Sequence, residues 1–260
     1  ILVRGYDGDV TPTVLTVENA TINSSYYAFA VFGHGYEDDG DNGNVVLTVK
    51  NATVTMPTGS SNPESAAFGT NADGGANAGH TINIEGGTYN SNTGCYFPSY
   101  GEYNISGGTF NSSMYGIRIC AGVLSISGSA SINVDPNGTD SSLVPDDGKT
   151  DRPTGTMGPL TIGKQTSTGY PGGIVVKIEG GTLTNNTDDG NAITVYDDNL
   201  ASETYKDQTI SVNVSGGTVT GDVEYVHSTD SSPDSNEVSY EMTGGTVDGD
   251  IVADKSVYSD

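Results

Sequence analysis

Most side chains in this sequence that could do chemistry are oxygen donors gathered in glycine-rich stretches. Glu37-Asp38-Asp39-Gly40-Asp41-Asn42-Gly43-Asn44 sets carboxylate and amide oxygens close together, and Ca²⁺ takes roughly six to eight such hard donors. The run departs from the EF-hand loop, because glycine falls where a third ligand should stand and no glutamate closes it. A second acidic group, Asp188-Asp189 with Asp197-Asp198-Asn199, flanks one short apolar strand. Asp38, Asp39, Asp41, Asp188, Asp189, Asp197 and Asp198 are therefore the candidate calcium ligands. The alternative is a pair of solvated acidic loops.

Arg118 lies between Ile117 and Ile119, so strand alternation turns its guanidinium away from the apolar face. With a ladder of carboxylates holding Ca²⁺ opposite, such an arginine could act as the base of a polysaccharide lyase. Without one, it is a cation that stacks on aromatic rings. Rings are available in Tyr26, Tyr27, Tyr36, Phe97, Tyr100, Tyr115 and Tyr196. Alternation places Phe97, Arg118, Thr194 and Tyr196 outward. A row of ring faces beside Asn and Asp is a surface that flat sugars stack on. Phe97, Tyr100, Arg118, Tyr196 and Tyr36 are thus the candidate carbohydrate contacts, the alternative being that the rings fill a core. The three histidines, His34, His80 and His227, are too scattered for a Ser-His-Asp arrangement.

These residues sit on a repeat that runs the length of the chain. Eight segments share an alternating apolar stretch, a small two-residue turn usually followed by Thr, and a further apolar position. The first four are Leu15-Thr-Val-Glu-Asn-Ala-Thr-Ile22, Leu47-Thr-Val-Lys-Asn-Ala-Thr-Val54, Ile82-Asn-Ile-Glu-Gly-Gly-Thr-Tyr89 and Tyr103-Asn-Ile-Ser-Gly-Gly-Thr-Phe110. Then follow the degenerate Leu124-Ser-Ile-Ser-Gly-Ser-Ala-Ser131, Val176-Lys-Ile-Glu-Gly-Gly-Thr-Leu183, Val212-Asn-Val-Ser-Gly-Gly-Thr-Val219 and Tyr240-Glu-Met-Thr-Gly-Gly-Thr-Val247. Their first turn residues are spaced by 32, 35, 21, 21, 52, 36 and 28 positions. A minimum of 21 with variable excess predicts solenoid coils whose loops carry insertions. The period of two within each repeat predicts strand-turn-strand units and excludes a helical solenoid. Glycine at the turn permits positive φ and close stacking of successive coils.

A further strand is expected about ten residues after each turn, at 28–31, 67–68, 95–97, 116–119, 192–195 and 223–226. Two or three short parallel strands in a coil of at least about 20 residues is the arithmetic of a right-handed parallel β-helix. The sequence thereby resembles the pectin-lyase-like superfamily, and in particular the Gly-Gly-Thr repeat proteins on the surfaces of Firmicutes, some of which are non-catalytic polysaccharide binders. The resemblance covers residues 15 to 250. It implies an all-β, single-stranded right-handed parallel β-helix of about eight coils, one domain over 1–260, with lateral loops. The proline-rich stretch from Asp135 to Pro159 is expected to be the longest of these loops, with Leu160-Thr-Ile162 as an extra strand. That superfamily hosts lyases, hydrolases, adhesins and phage spikes, so fold does not fix activity.

The polygalacturonase family carries Asn-Thr-Asp, Asp-Asp, Gly-His-Gly and Arg-Ile-Lys in that order. Here Gly33-His34-Gly35 comes first, Arg118-Ile119-Cys120 lacks the lysine, and Asn186-Thr187-Asp188-Asp189 comes last. In a solenoid, sequence order is axial order, so His34 and Asp188 lie several coils apart. A glycosidase needs its two carboxyls within about 10 Å of each other.

Composition narrows the classes. Among 260 residues there are 33 acids and 9 bases, a net charge of -24. That balance excludes binding to nucleic acid, which depends on Lys and Arg, and docking to anionic lipid. No apolar run reaches the roughly 18 residues of a membrane span. Cys95 and Cys120 fall on adjacent coils, and aligning 95 with 116 separates them by too many residues for a disulfide, so free thiols are expected. The chain opens Ile1-Leu2-Val3 without an initiator Met and reads as a piece of a longer surface protein. The expected function is a non-catalytic secreted or cell-surface module of a bacterium that binds a polysaccharide or surface glycan with calcium assistance, as a monomer or within a larger chain. A lyase or hydrolase, and a structural stalk, are the alternatives.

Overall fold

The computed structural model describes residues 1–5, 11–33, 45–58, 65–72, 80–136, 157–163, 173–187, 190–197, 209–227 and 238–256. Among them there is no helix, and nineteen strands pair into one sheet with parallel ladders throughout. The protein is all-β, and its topology is that of a β-solenoid.

Three ladders carry the pairing. The first joins β2 (Thr13–Asn23), β4 (Val45–Thr55), β6 (His80–Ile84), β8 (Glu102–Ile105), β10 (Gly122–Ile126), β13 (Ile174–Asn185), β15 (Ile210–Thr220) and β17 (Val238–Met242). It pairs the repeats as the sequence aligns them: Leu15, Leu47, Ile82 and Tyr103 follow one another in register, then Leu124, Val176, Val212 and Tyr240. The second ladder uses the far halves of β2, β4, β13 and β15 with β7 (Thr88–Phe97), β9 (Thr109–Ile119), β11 (Ser131–Val134) and β18 (Thr246–Asp248). The third takes β1 (Leu2–Arg4), β3 (Tyr27–Gly33), β5 (Ala66–Ala72), the ends of β7 and β9, β12 (Leu160–Gly163), β14 (Asn191–Asp197), β16 (Asp222–His227) and β19 (Ile251–Ser256). Leu160-Thr-Ile162 is thus a regular member of the third ladder, the return of the chain after the long insertion, of which 137–156 lies outside the described residues.

Alternate residues of all three ladders meet in one buried cluster that includes Leu47, Ile82, Val54, Phe110, Ile132, Phe68 and Ile117. Aromatic rings stack from coil to coil inside it. Tyr89 lies on Phe110 with centroids 4.7 Å apart, and Phe97 on Tyr103 at 3.9 Å. Such pairs contribute about 0.5–1.5 kcal/mol beyond the area they bury.

The two glycines of the turn have separate tasks. A Cβ on the first would strike the carbonyl oxygen of the coil beneath, at 2.4 Å from Glu85 for Gly107. The second takes positive φ, 96° at Gly108, where an L side chain is strained. In the first repeat the positive φ falls on Asn19, at 55°, the residue type that tolerates it best after glycine.

One irregularity reorients a strand. β7 and β9 pair with an offset of 21 through Ser91↔Ser112, then of 22 from Thr93↔Tyr115 onward. The extra residue in β9 is a β-bulge, and a one-residue slip moves every later side chain to the other face.

Candidate functional site

That slip corrects the expected carbohydrate row. Phe97 pairs with Ile119 and not Arg118, is wholly buried, and belongs to the core. The outward neighbour of Arg118 is Tyr96. The outward side of the third ladder reads Gly69, Tyr96, Arg118, Thr161, Thr194, Glu224. Arg118 stacks its guanidinium over Tyr96, 5.3 Å from the ring centroid, and is only 6% exposed. Its partners in register are Tyr96 and Thr161, neither an acid. The nearest carboxylate along this row, Glu224, stands three strands further on and accepts a 2.6 Å hydrogen bond from Asn191 Nδ2.

The remaining predicted contacts do not gather into a row with Arg118. Tyr100 is half-buried in the bend after β7, and Tyr115 is buried with Met114 against Met157. Tyr196 is on β14 opposite Gly163, two residues further along the strand than Thr194, which shares the Arg118 row. Tyr36, Asp38, Asp39, Asp41, Asp188, Asp189 and Asp198 lie outside the described residues, while Asp197 ends β14 opposite His227. Among the described residues no three His, Cys, Asp or Glu side chains converge as metal ligands. Gly33 on β3 is five ladder steps from β14, about 24 Å at the spacing of paired strands. The described ends of the scrambled motifs, Gly33 and Asn186-Thr187, therefore lie coils apart.

The groups with shifted acidity are mostly packed in the core, and burial is the leading cause in each. Cys95 and the phenols of Tyr89, Tyr103 and Tyr240 are pushed up, and His80 is pushed down to about 4. Tyr103 donates to the Ser99 carbonyl, so its oxygen accepts from His80 Nε2 at 2.9 Å. His80 Nδ1 is left as a buried acceptor without a partner. Gly101 makes room for this ring, since a Cβ there would lie 2.5 Å from it. Cys95 and Cys120 are free and buried; Cys95 pairs with Ile117 because of the bulge.

The sequence reading missed a surface that the second ladder builds. The residue after each turn stacks into one row of hydroxyls: Thr21, Thr53, Thr88, Thr109, then Ser131, Thr182, Thr218, Thr246. Two residues on, a second row runs Asn23, Thr55, Asn90, Asn111, then Asn133, Thr184, Thr220, Asp248. Both rows are exposed or half-buried. Neighbours bond along them: Asn111 Nδ2 to Asn90 Oδ1 at 2.9 Å, Asn133 Nδ2 to Asn111 Oδ1 at 3.3 Å, Thr182 to Ser131 at 3.2 Å. Seven strand steps make the strip about 34 Å long, with its rows about 7 Å apart. In a chain of net charge -24 the strip carries one charged residue, Asp248. The signal was present in the sequence, since the turn-following Thr and the residue two beyond it share the parity opposite to the apolar position between them.

No family model, curated protein or solved structure matches this chain.

Proposed function

We propose that the chain is a non-catalytic secreted or cell-surface module that binds polysaccharide along one side of a right-handed parallel β-helix of about eight coils. The hand follows the rule for parallel crossovers, right-handed in about 98% of cases. The observation that carries the reading is the neutral double row of hydroxyls and amides on the second ladder. Each hydroxyl and amide there, Asp248 apart, both donates and accepts, as sugar hydroxyls do. The near-absence of charge selects against phosphates and polyanions, and the repeat along the axis lets weak contacts add up on a repeating ligand. Calcium assistance rests on the acidic loops, and a bacterial surface, of the Gly-Gly-Thr repeat kind, on the resemblance of the repeat.

A pull-down of the purified chain against neutral and anionic polysaccharides, with Ca²⁺ or EDTA, tests this. Retention on a neutral polysaccharide is expected, without new reducing ends or unsaturated sugars. The triple substitution Thr88→Val, Thr109→Val and Ser131→Ala should weaken retention at least about tenfold, a loss of about 1.4 kcal/mol, with stability changed by less than about 0.5 kcal/mol per site. Released product would overturn the non-catalytic reading and direct attention to Arg118. Equal retention of the triple variant would remove the strip from the site.

A structural spacer is the second reading, favoured by the hydrogen bonds that Asn90, Asn111 and Asn133 make to one another. Absence of retention on every polysaccharide would establish it over the first.

A further inference from the structure

The double row on the second ladder has a property beyond its hydroxyls and amides, which is a lattice. Its exposure is lateral, on inner coils as well as outer ones, and so does not depend on what adjoins either end. Along the axis the groups repeat at the spacing of paired strands, about 4.8 Å, and across it the two rows stand about 7 Å apart. Water bonded tetrahedrally at about 2.75 Å repeats at nearly those distances in hexagonal ice, about 4.5 Å between second neighbours and about 7.3 Å at right angles to them.

The groups are also held still. The row after the turns is threonine except at Ser131, and a β-branched side chain on a strand has few rotamers. In the other row Asn111 Nδ2 donates to Asn90 Oδ1 at 2.9 Å, and Asn111 Oδ1 accepts from Asn133 at 3.3 Å. Asn111 so placed keeps one N–H and one oxygen lone pair for solvent. From Thr53 to Thr220 no charged side chain interrupts the strip, although the chain carries -24. An ion would draw water dipoles radially towards itself, whereas ice needs every molecule to donate and accept tetrahedrally.

We propose that this strip binds ice. Water held along its rows takes up the tetrahedral net, and the chain adsorbs through that net to a face of the growing crystal. The strip is longer than the lattice by about 0.3 Å per coil, so runs of three or four coils stay within about 1 Å of it. Hydroxyl hydrogens turn to suit across such a mismatch. The inference goes beyond the polysaccharide reading: it uses the same strip but rests on its two spacings, and it stands or falls separately.

A single seeded ice crystal, cooled in a droplet of the purified full chain, tests this. Facets and a freezing point held below the melting point are expected, where serum albumin at equal osmolality gives a round crystal and no gap. Thr109→Lys with Thr182→Lys sets two charges in the middle of the strip and should abolish the gap. Glu102→Lys makes the same change of net charge at an exposed position of β8 on the first ladder, and should leave the gap as it is. Circular dichroism and thermal unfolding check the fold of each variant. Should the double variant unfold, the fluorescently labelled parent decides: enrichment in the ice over the remaining liquid is expected, and exclusion would overturn the proposal. A round crystal with the parent, an unchanged gap in the folded double variant, or equal loss in Glu102→Lys would overturn it too. Retention on polysaccharide without a gap would leave the preceding reading intact and remove this one; a gap without retention would do the reverse.

Discussion

The middle of the molecule, from His80 to Asp135, and its C-terminal end, from Val238 to Ser256, use one motif to different effect. Tyr103-Asn-Ile-Ser-Gly-Gly-Thr-Phe110 and Tyr240-Glu-Met-Thr-Gly-Gly-Thr-Val247 align position by position along the ladders. In the first, Tyr103, Ile105 and Phe110 are buried. In the second, Tyr240 and Val247 are only half-buried and Met242 is exposed. Burial in a solenoid comes from the coil before and the coil after, so the same motif has different energetics at an end. The middle also holds the tightest spacing, 21 residues between turns, and the aromatic stack that spans successive coils.

The largest effect expected from this contrast is Phe97→Ala. It empties a site stacked on Tyr103 and should cost about 3–5 kcal/mol in urea unfolding. Chemical denaturation of Phe97→Ala and Met242→Ala together sharpens the comparison, because Met242→Ala should cost less than about 1 kcal/mol in dilute protein. Equal costs would break it, and would mean that the last coil is covered in solution.

Next comes the dependence on pH. His80 is held at about 4 in the fold against 6.5 unfolded, because burial removes the water that would solvate the charged imidazolium. Its folded pKa is depressed, so the unfolded chain binds the proton first and stability falls as pH drops. The contribution is complete above about pH 6.5 and declines between 6.5 and 4, by on the order of 3 kcal/mol. Unfolding free energies measured through that window should fall less steeply for His80→Gln than for the parent. Equal slopes would show that burial of this ring does not govern its titration.

A smaller effect is expected at Gly101. Gly101→Ala would crowd the His80 ring, and overpacking of this kind costs about 1–3 kcal/mol. Thermal unfolding of Gly101→Ala alone and combined with His80→Ala reports the coupling; part of the loss should return in the double variant. Purely additive losses would place the strain in the backbone.

Much of this architecture was legible in residue order. The alternation of Ile82 and Ile84, the small turn at Gly86-Gly87, and the recurrence of that unit through Tyr240 specify strand-turn-strand repeats, because a period of two and a positive-φ turn are local requirements. The third strand of each coil was legible too, down to Leu160-Thr-Ile162. Free thiols at Cys95 and Cys120 followed from strand geometry even though the aligned residue is Ile117 and not Gly116.

Only the tertiary structure decided which side several residues face. Phe97 is buried because it shares the inward parity of Tyr89 and Cys95 on β7. The extra residue between Ser112 and Tyr115 turns Ile117 and Ile119 of β9 inward, and only the pairing of the two strands reveals that Tyr96, not Phe97, lies under Arg118. The double row of Thr and Asn likewise exists only once the ladders bring residues 21 to 51 positions apart into contact. The sequence by itself determined the repeating unit, because that unit is fixed by short-range sterics and apolar periodicity. Register, burial at the ends and the lateral surface belong to the stack, because each depends on a neighbouring coil that no local stretch of sequence contains.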